Sequence, residues 1–201
     1  MVKFPANATP AAKTRLLKPV SPLLSGKTKP NKKRQKDTDS RWATKNGTSH
    51  YGYKDHIKVD NKYKLIQAYC ISDASMHDSQ ALKELLDATD KGQTLHADSA
   101  YTGEEHQKTI RDHQMINKVH QKGYRNHPLS EGQKKLNRYK SKTRARVEHV
   151  FGFMTGSMNQ LYVRCIGSKR AKGVIGLINL TYNLFRMEQL VRMHGIGAPM
   201  A

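Results

Sequence analysis

Lys142-Thr-Arg-Ala-Arg-Val-Glu-His-Val-Phe-Gly152 sets a single acid, Glu148, among arginines at helical spacing. Val147, Phe151 and Met154 recur at i, i+4 and i+7, and Leu136, Tyr139 and Thr143 continue the apolar stripe upstream. The start signal is equally local. Ser130 follows Pro128, and Gln133 stands three residues later, so the hydroxyl can accept from an orphan amide while the glutamine side chain reaches back. Glu148 lies at the edge of the stripe, and Arg144, one turn earlier, is placed to pair with it. Such a carboxylate is either half of a surface ion pair or a group that does chemistry. The rest of the chain decides between the two.

The chain has 201 residues, enough for one domain with a sizeable core. Lys and Arg number 36 against 16 Asp and Glu, a net charge of +20. Solubility does not require so much charge, and its natural partner is a polyanion, double-stranded DNA foremost. No stretch approaches the roughly 20 apolar residues of a membrane span, and the start does not resemble a signal peptide. Cys70 and Cys165 match no zinc or redox spacing. Together these features predict a cytoplasmic, nucleoid-associated protein with no membrane partner.

Residues 1–49 carry five of the seven prolines and about half of the net charge, without sustained periodicity. Residues 1–36 are expected to form a basic, loosely attached segment, 37–193 the folded domain and 194–201 a flexible tail. Tyr51, Tyr53, His56, Ile57 and Val59 predict a strand that turns at Asp60-Asn61, with Leu65–Ile71 as its hairpin partner. Asp78 or Ser79 is expected to cap a helix presenting Ala81, Leu82, Leu85 and Leu86. A short strand, Gln93–Ala97, ends at Asp98, a helix covers Glu104–His113, and Met115–His120 forms another strand. After the Glu148 helix, the run Ala171–Leu190 is apolar on so many faces that burial on more than one side is expected. This order of elements predicts an α/β fold, helices packed on a mixed sheet.

Asp98 follows an apolar strand and opens a turn, the place where open α/β sheets bind ligands. His96 shares its face, so a His–Asp metal pair is conceivable. Two carboxylates, one at a strand end and one on a later helix, can jointly hold Mg²⁺, with Mn²⁺ as an alternative. Phosphodiester chemistry by in-line attack usually uses two such ions, and that needs a third carboxylate. Trp42, Tyr51 and Tyr53 could stack on bases, but as strand residues they are expected in the core.

Several ordered motifs point to one family. Gln35-Lys-Asp-Thr-Asp-Ser-Arg-Trp42, Lys45-Asn-Gly-Thr-Ser-His-Tyr-Gly-Tyr-Lys-Asp-His56, Asp73-Ala-Ser-Met-His-Asp-Ser-Gln80, Ala97-Asp-Ser-Ala-Tyr101, Arg144-Ala-Arg-Val-Glu-His-Val-Phe-Gly152 and Ile178-Asn-Leu-Thr-Tyr-Asn-Leu184 closely resemble the insertion-sequence-five transposases of bacteria. That family lies within the DDE transposase group, and the resemblance covers about residues 31–193. It implies a ribonuclease-H-like core and Mg²⁺-dependent nicking of transposon ends, followed by joining of the freed 3′ hydroxyl to target DNA. In this pattern Asp98 matches the second catalytic Asp and metal ligand, and Glu148 the catalytic Glu and metal ligand. Arg144 matches the arginine that accompanies the Glu, and His149 is a further supporting residue. The Tyr and Lys that frame the motif in related families fall at Ser141 and Thr155, where this chain departs from the pattern.

The larger departure is at the front. The family's first catalytic Asp lies on a strand before a Pro-Arg-Gln-Arg-Asn segment, and this chain has neither. Asp37, Asp39, Asp55 and Asp60 are not sound substitutes. Phe4-Pro-Ala-Asn-Ala-Thr-Pro10 can be encoded by codons that give Pro-Arg-Gln-Arg-Asn-Thr in another frame, so Met1–Pro30 reads as an out-of-frame segment. The expected fold therefore lacks its first strand. An inactive DNA-binding fragment that competes with an intact transposase, for ends or as a subunit of a mixed or homo-oligomer, is the alternative reading. For DNA contact the expectation falls on Lys45, Arg138, Lys142, Arg146, Arg164, Lys169 and Arg170, positioned for phosphates rather than for base edges.

Overall fold

The computed structural model describes residues 35–45, 47–158 and 163–194. The basic segment expected up to Lys36 lies outside them but for Gln35 and Lys36, as does the tail beyond His194. The architecture is mixed α/β. Three strands, β1 (Arg41–Lys45), β2 (Thr48–Val59) and β3 (Ile66–Asp73), form an antiparallel sheet in that order. A second sheet pairs β4 (Thr94–Leu95) with β5 (Ile116–Asn117) in parallel. The helices are the single turn α1 (Leu82–Leu85), then α2 (Glu104–Asp112), α3 (Glu131–Gly156) and α4 (Ser168–His194).

The period-two pattern of β2 buries it on both faces. Tyr53 packs with Ile71, Ala171 and Ile175, and Asp55 accepts from Asn179 Nδ2 at 3.2 Å, so the odd positions face α4. Lys54 reaches Asp78 at 3.0 Å, while Lys58 reaches Asp87 at 2.9 Å and Asp90 at 3.0 Å, so the even positions face the 77–90 segment. Lysines in the middle of a strand are thus neutralised by acids on short 3₁₀ turns rather than by solvent. The turn after β2 closes through Lys64 N–H to Asp60 O at 3.0 Å, and Lys64 adopts a positive φ of 61°.

The main core joins Ile57, Leu82, Leu85, Leu95, Tyr101, Ile110, Val147, Val150, Phe151 and Met154. Each such side chain taken out of water contributes about 1.5–3 kcal/mol. α3 begins as the sequence indicated: Ser130 N–H donates to Gln133 Oε1 at 2.9 Å, and Gln133 N–H donates to Ser130 Oγ at 3.3 Å. α4 is capped by Asp39, which accepts from Ser168 N–H at 2.9 Å, while Asp37 accepts from Gly167 N–H at 3.1 Å and from Tyr53 Oη at 2.9 Å. A Cβ on Gly176 would come within 2.6 Å of Tyr69 Oη, so the tyrosine ring of β3 lies across α4 at the glycine and would have to shift to admit a larger residue.

Several expectations are corrected. β1 was absent from the sequence reading, because Arg41-Trp-Ala-Thr-Lys45 has no buried face to produce an alternation; Trp42 is largely exposed rather than core, leaning on Tyr51 at 5.1 Å between ring centroids. The single mixed sheet is two sheets among the described residues. The side chain capping the 78–81 turn is His77, whose Nδ1 accepts from Ser79 N–H, rather than Asp78 or Ser79. Leu136 and Tyr139 are exposed, since the first two turns of α3 extend past the core and only Lys140 onward is covered. α4 is not buried on more than one side: Ala171, Ile175, Asn179, Tyr182 and Leu190 face the protein, while Leu177, Leu180, Leu184 and Phe185 face outward.

Candidate active site and nucleic-acid interface

The parallel ladder continues past its two-residue strands. Ile116 N–H donates to Gln93 O at 2.9 Å, Lys118 N–H to Leu95 O at 2.9 Å and His120 N–H to Ala97 O at 3.1 Å. Asp98 is therefore the first residue beyond the last ladder bond, at the carboxyl end of β4. It is half-buried, and its Oδ1 accepts from Ala100 N–H at 2.9 Å, capping the 3₁₀ turn Ser99–Tyr101. The turn is anchored by the buried Tyr101, whose Oη donates to Asp78 O at 3.0 Å.

Glu148 comes from α3, in the turn where the helix passes from solvent to core. Arg144 Nη1 donates to Glu148 Oε1 at 3.0 Å, and the Glu148 side chain is about half exposed. Arg144 itself is mostly covered, and its buried Nε has no hydrogen-bond partner among the described residues. The guanidinium thus neutralises Glu148 with its Nη1 edge while its Nε is enclosed.

His120 lies between β5 and α3, and no local sequence signal marks it. It ends the β5 ladder, and its Nε2 lies 3.3 Å from Ser141 Oγ on α3. Burial lowers its pKa, the positive charges of Arg144 and Lys140 lower it further, and Asp98 opposes them. Asp98 and Arg144 therefore both act electrostatically on one imidazole. The nearest to such a signal is the alternation Asn117, Val119 within a strand whose neighbour could not be known from sequence.

His96 lines a cavity of about 210 Å³ with Lys58, Asp60, Asp90, Leu95, Thr143, Arg144 and Arg146. Its pKa is lowered by burial and then by Lys118 and Lys140. The cavity separates the edge of β2 from β4. β1 covers that edge only as far as Gly52, and no strand among the described residues pairs with its 53–59 portion. His149 faces a different cavity, with Lys64, Phe153, Tyr182 and Arg186. Asp37 and Asp39 serve the α4 amino end as described above, and Asp55 is buried against Asn179, with its pKa raised to about 7 by desolvation despite that hydrogen bond. Among the described residues, none of these three shares a hydrogen bond or ion pair with Asp98 or Glu148.

Among the described residues, no three His, Cys, Asp or Glu side chains gather closely enough to hold a metal ion. Asp98 and Glu148 are oxygen donors of the right chemistry for a hard divalent cation, but they do not form a closed site by themselves. Of the cations expected on DNA, Arg138, Lys142, Arg146, Arg164, Lys169 and Arg170 are all exposed, and Lys45 lies at the end of β1. Arg138, Lys142 and Arg146 repeat every four residues, about 6 Å apart along α3. No helix among the described residues is long and apolar enough to cross a membrane.

An α/β domain with a carboxylate closing a strand, a second on a helix and a basic ridge alongside has the ingredients for handling a polyanion, and several classes of protein share them. The comparisons specify which one. The family model described as transposase DDE domain matches residues 23–184, and the chain belongs to that family. It is 40% identical over 129 residues to the transposase for insertion sequence element IS1106 of Neisseria meningitidis serogroup B. The match takes in 64% of this chain and 43% of that relative, so the chain spans less than half of the relative's length. No solved structure matches the chain.

Proposed function

We propose that this chain acts in DNA transposition as an insertion-sequence-five type transposase, with Asp98 and Glu148 as two carboxylates of its catalytic site and Arg144 in support, whereas His149, on the face of α3 toward the other cavity, is not given that role. The observation that carries the reading is the placement of Asp98 at the end of the β4 ladder and Glu148 on α3, within a chain that belongs to the DDE domain family. The chemistry is two displacements at phosphorus. Water attacks at the transposon end, the P–O3′ bond breaks, and the 3′ oxygen leaves with a proton. That 3′ hydroxyl then attacks a target phosphodiester, and the target's own 3′ oxygen departs in turn. The number of phosphodiester bonds is conserved in the second step, so no external energy source is required.

DDE domains use divalent metals as a class. Here Mg²⁺, with Mn²⁺ as substitute, is the proposed ion, Asp98 and Glu148 its proposed ligands, and polarisation of the phosphoryl oxygens the chemistry it supplies. Arg144, held beside Glu148 by their ion pair, is assigned to the same phosphate. A ribonuclease-H-like core is supported by the edge of β2 away from β3, which no strand among the described residues pairs over 53–59 and which shares a cavity with β4. The site of action is the nucleoid, and Arg138, Lys142, Arg146, Arg164, Lys169, Arg170 and Lys45 are the proposed phosphate contacts on terminal repeats and target.

Self-association is the second element of the proposal. On α4, Leu177, Leu180, Leu184, Met187 and Val191 are exposed by 64%, 53%, 59%, 53% and 42%, and they repeat at intervals of three and four. That narrow seam is the pattern by which one helix packs on another. A second copy of the chain is the proposed occupant, because two such seams in contact would bury on the order of 1,000 Å², the lower bound for a specific pair.

The test is Mg²⁺-dependent nicking and strand transfer on duplexes bearing the flanking terminal repeats, with Glu148→Gln alongside. Cleavage that the substitution abolishes is expected. Duplex bound by both proteins with no strand cut by either would make the chain an inactive DNA-binding remnant and refute the catalytic reading.

A further inference from the structure

The turn between β2 and β3 is held from two helices. Arg146 Nη1 on α3 donates to Asn61 O at 2.8 Å. From α4, Arg186 Nε donates to Tyr63 O at 2.7 Å and Tyr182 Oη to Lys64 O at 2.8 Å. These bonds fix the backbone on which Lys64 is presented, in a left-handed conformation that turns its side chain along the surface. Lys64, His149, Phe153, Tyr182, Arg186 and Gln189 line a cavity of about 170 Å³ there.

Lys64 and Arg186 line this cavity, and Arg146, which lines the neighbouring one, reaches the same turn through Asn61 O; the one acid of the turn, Asp60, has its carboxylate taken up by Tyr63 N–H. Lys64, Arg146 and Arg186 come from three separate elements, and none makes an ion pair among the described residues. Elsewhere the fold does neutralise cations at close quarters, as with Lys54 against Asp78 and Lys58 against Asp87 and Asp90. The Lys64 ammonium is pushed below its usual range by burial first and then by Arg186 and Arg146. Mutual repulsion between cations tethered by backbone hydrogen bonds is relieved by a multivalent anion that reaches all of them. The guanidinium of Arg186 uses Nε on Tyr63 and Nη1 on Gln189 Oε1 at 3.1 Å, leaving Nη2 for such a ligand.

We propose that the β2–β3 turn, with Lys64, Arg146 and Arg186, is a phosphate-binding cradle that grips the sugar-phosphate backbone of DNA at the end of the basic ridge on α3. The inference rests on the DNA-binding part of the proposed function, not on its catalytic part. Arg138, Lys142 and Arg146 lead a strand along the helix in steps of about 6 Å. The cradle receives its next phosphate, so the contact sets register and orientation without reading sequence.

The experiment has two arms. In the first, affinity for a duplex of arbitrary sequence is measured by fluorescence anisotropy across a KCl series for wild type, Lys64→Gln and Lys64→Gln/Arg186→Gln. Lys83→Gln, remote and paired with Glu105, is the control. Each lost phosphate contact should reduce the slope of log K against log salt by about 0.9, so the double variant should lose about 1.8 and the control nothing. Lys64→Gln removes no hydrogen bond of the fold, and a slope unchanged in that variant and in the double variant overturns the cradle. In the second arm, lysines carrying ¹³C-methyl groups are observed by NMR while inorganic phosphate replaces chloride at constant ionic strength. A saturable shift of the Lys64 signal, lost in Arg186→Gln, supports the cradle even if no duplex binds, in which case the DNA reading fails and the phosphate site stands. No shift beyond that given by chloride overturns the proposal.

Discussion

Asp55→Asn should stabilise the protein, and it should do so only above the acid range. Asp55 is buried in the middle of β2, accepts a hydrogen bond from Asn179 Nδ2 at 3.2 Å, and leaves its Oδ2 without a partner; Asn179 Oδ1 is also buried and unpartnered. Two orphan acceptors within one hydrogen-bonded pair call for a proton between them, and desolvation accordingly raises the Asp55 pKa from 3.8 to about 7. Between those values the native state holds a proton that the unfolded chain releases. Stability therefore falls as pH rises through the window, and the loss persists above it. A displacement of roughly 3 units corresponds to about 4 kcal/mol at pH 8, an upper bound because the site relaxes around a charge. Asparagine supplies the missing donor permanently.

His56, on the opposite face of the same strand, bonds Ser72 Oγ through Nε2 at 2.7 Å and has its pKa lowered from 6.5 to about 4, chiefly by burial. Its effect has the opposite sign: the unfolded chain takes up a proton that the native state refuses, so stability rises between pH 4 and 6.5. In the wild type the two nearly offset one another across that range. Thermal melts of wild type and Asp55→Asn from pH 4 to 8 should show coincidence near pH 4. At pH 8 the variant should melt higher by about 8–16 °C for a chain of this size. Its own profile should rise from pH 4 to 6.5 as the His56 contribution is unmasked. A variant no more stable than wild type at pH 8, or one whose profile stays flat, would refute the assignment of Asp55 as a buried, proton-holding acid.

Lys58→Met should destabilise by about 3–5 kcal/mol in chemical denaturation, because it strands the buried Asp90 carboxylate together with Asp87. By contrast Lys134→Met, which breaks an exposed pair with Glu131, should change stability by less than about 1 kcal/mol, and comparable losses for the two would refute the burial argument. Leu180→Glu/Leu184→Glu places two charges in the exposed α4 seam. It should convert dimer to monomer in sedimentation velocity at tens of micromolar without lowering the melting temperature, and a wild type that is already monomeric there would exclude the seam as a self-interface.

The local signals in the sequence were read correctly where they are self-contained. The Ser130–Gln133 capping box, the Val147–Phe151–Met154 stripe and the Arg144–Glu148 pair all depend on residues three or four apart. The β2–β3 hairpin was legible from its alternation and its Asp60-Asn61 turn, and the charge of +20 pointed to a polyanion. What depends on partners distant in the chain was not legible. β1 has no buried face, so nothing in its pattern distinguishes it from coil. The acids at 37, 39 and 55 are equivalent in sequence, and only packing makes two of them anchors of the α4 amino end and the third a protonated pair with Asn179.

The sequence by itself pointed to the family, to the long helix with its Ser130–Gln133 cap and to the candidate carboxylates at 98 and 148, the first from its ordered motifs and the others from residue type at short spacing. Tertiary structure decided which charges are spent inside the fold and which remain outside it. Lys54 and Lys58 are consumed by Asp78, Asp87 and Asp90, whereas Lys64, Arg146 and Arg186 meet at the β2–β3 turn with no ion pair among the described residues. The physical reason is that the worth of a charge depends on its distance from opposite charge and on its access to water, and both are properties of the fold.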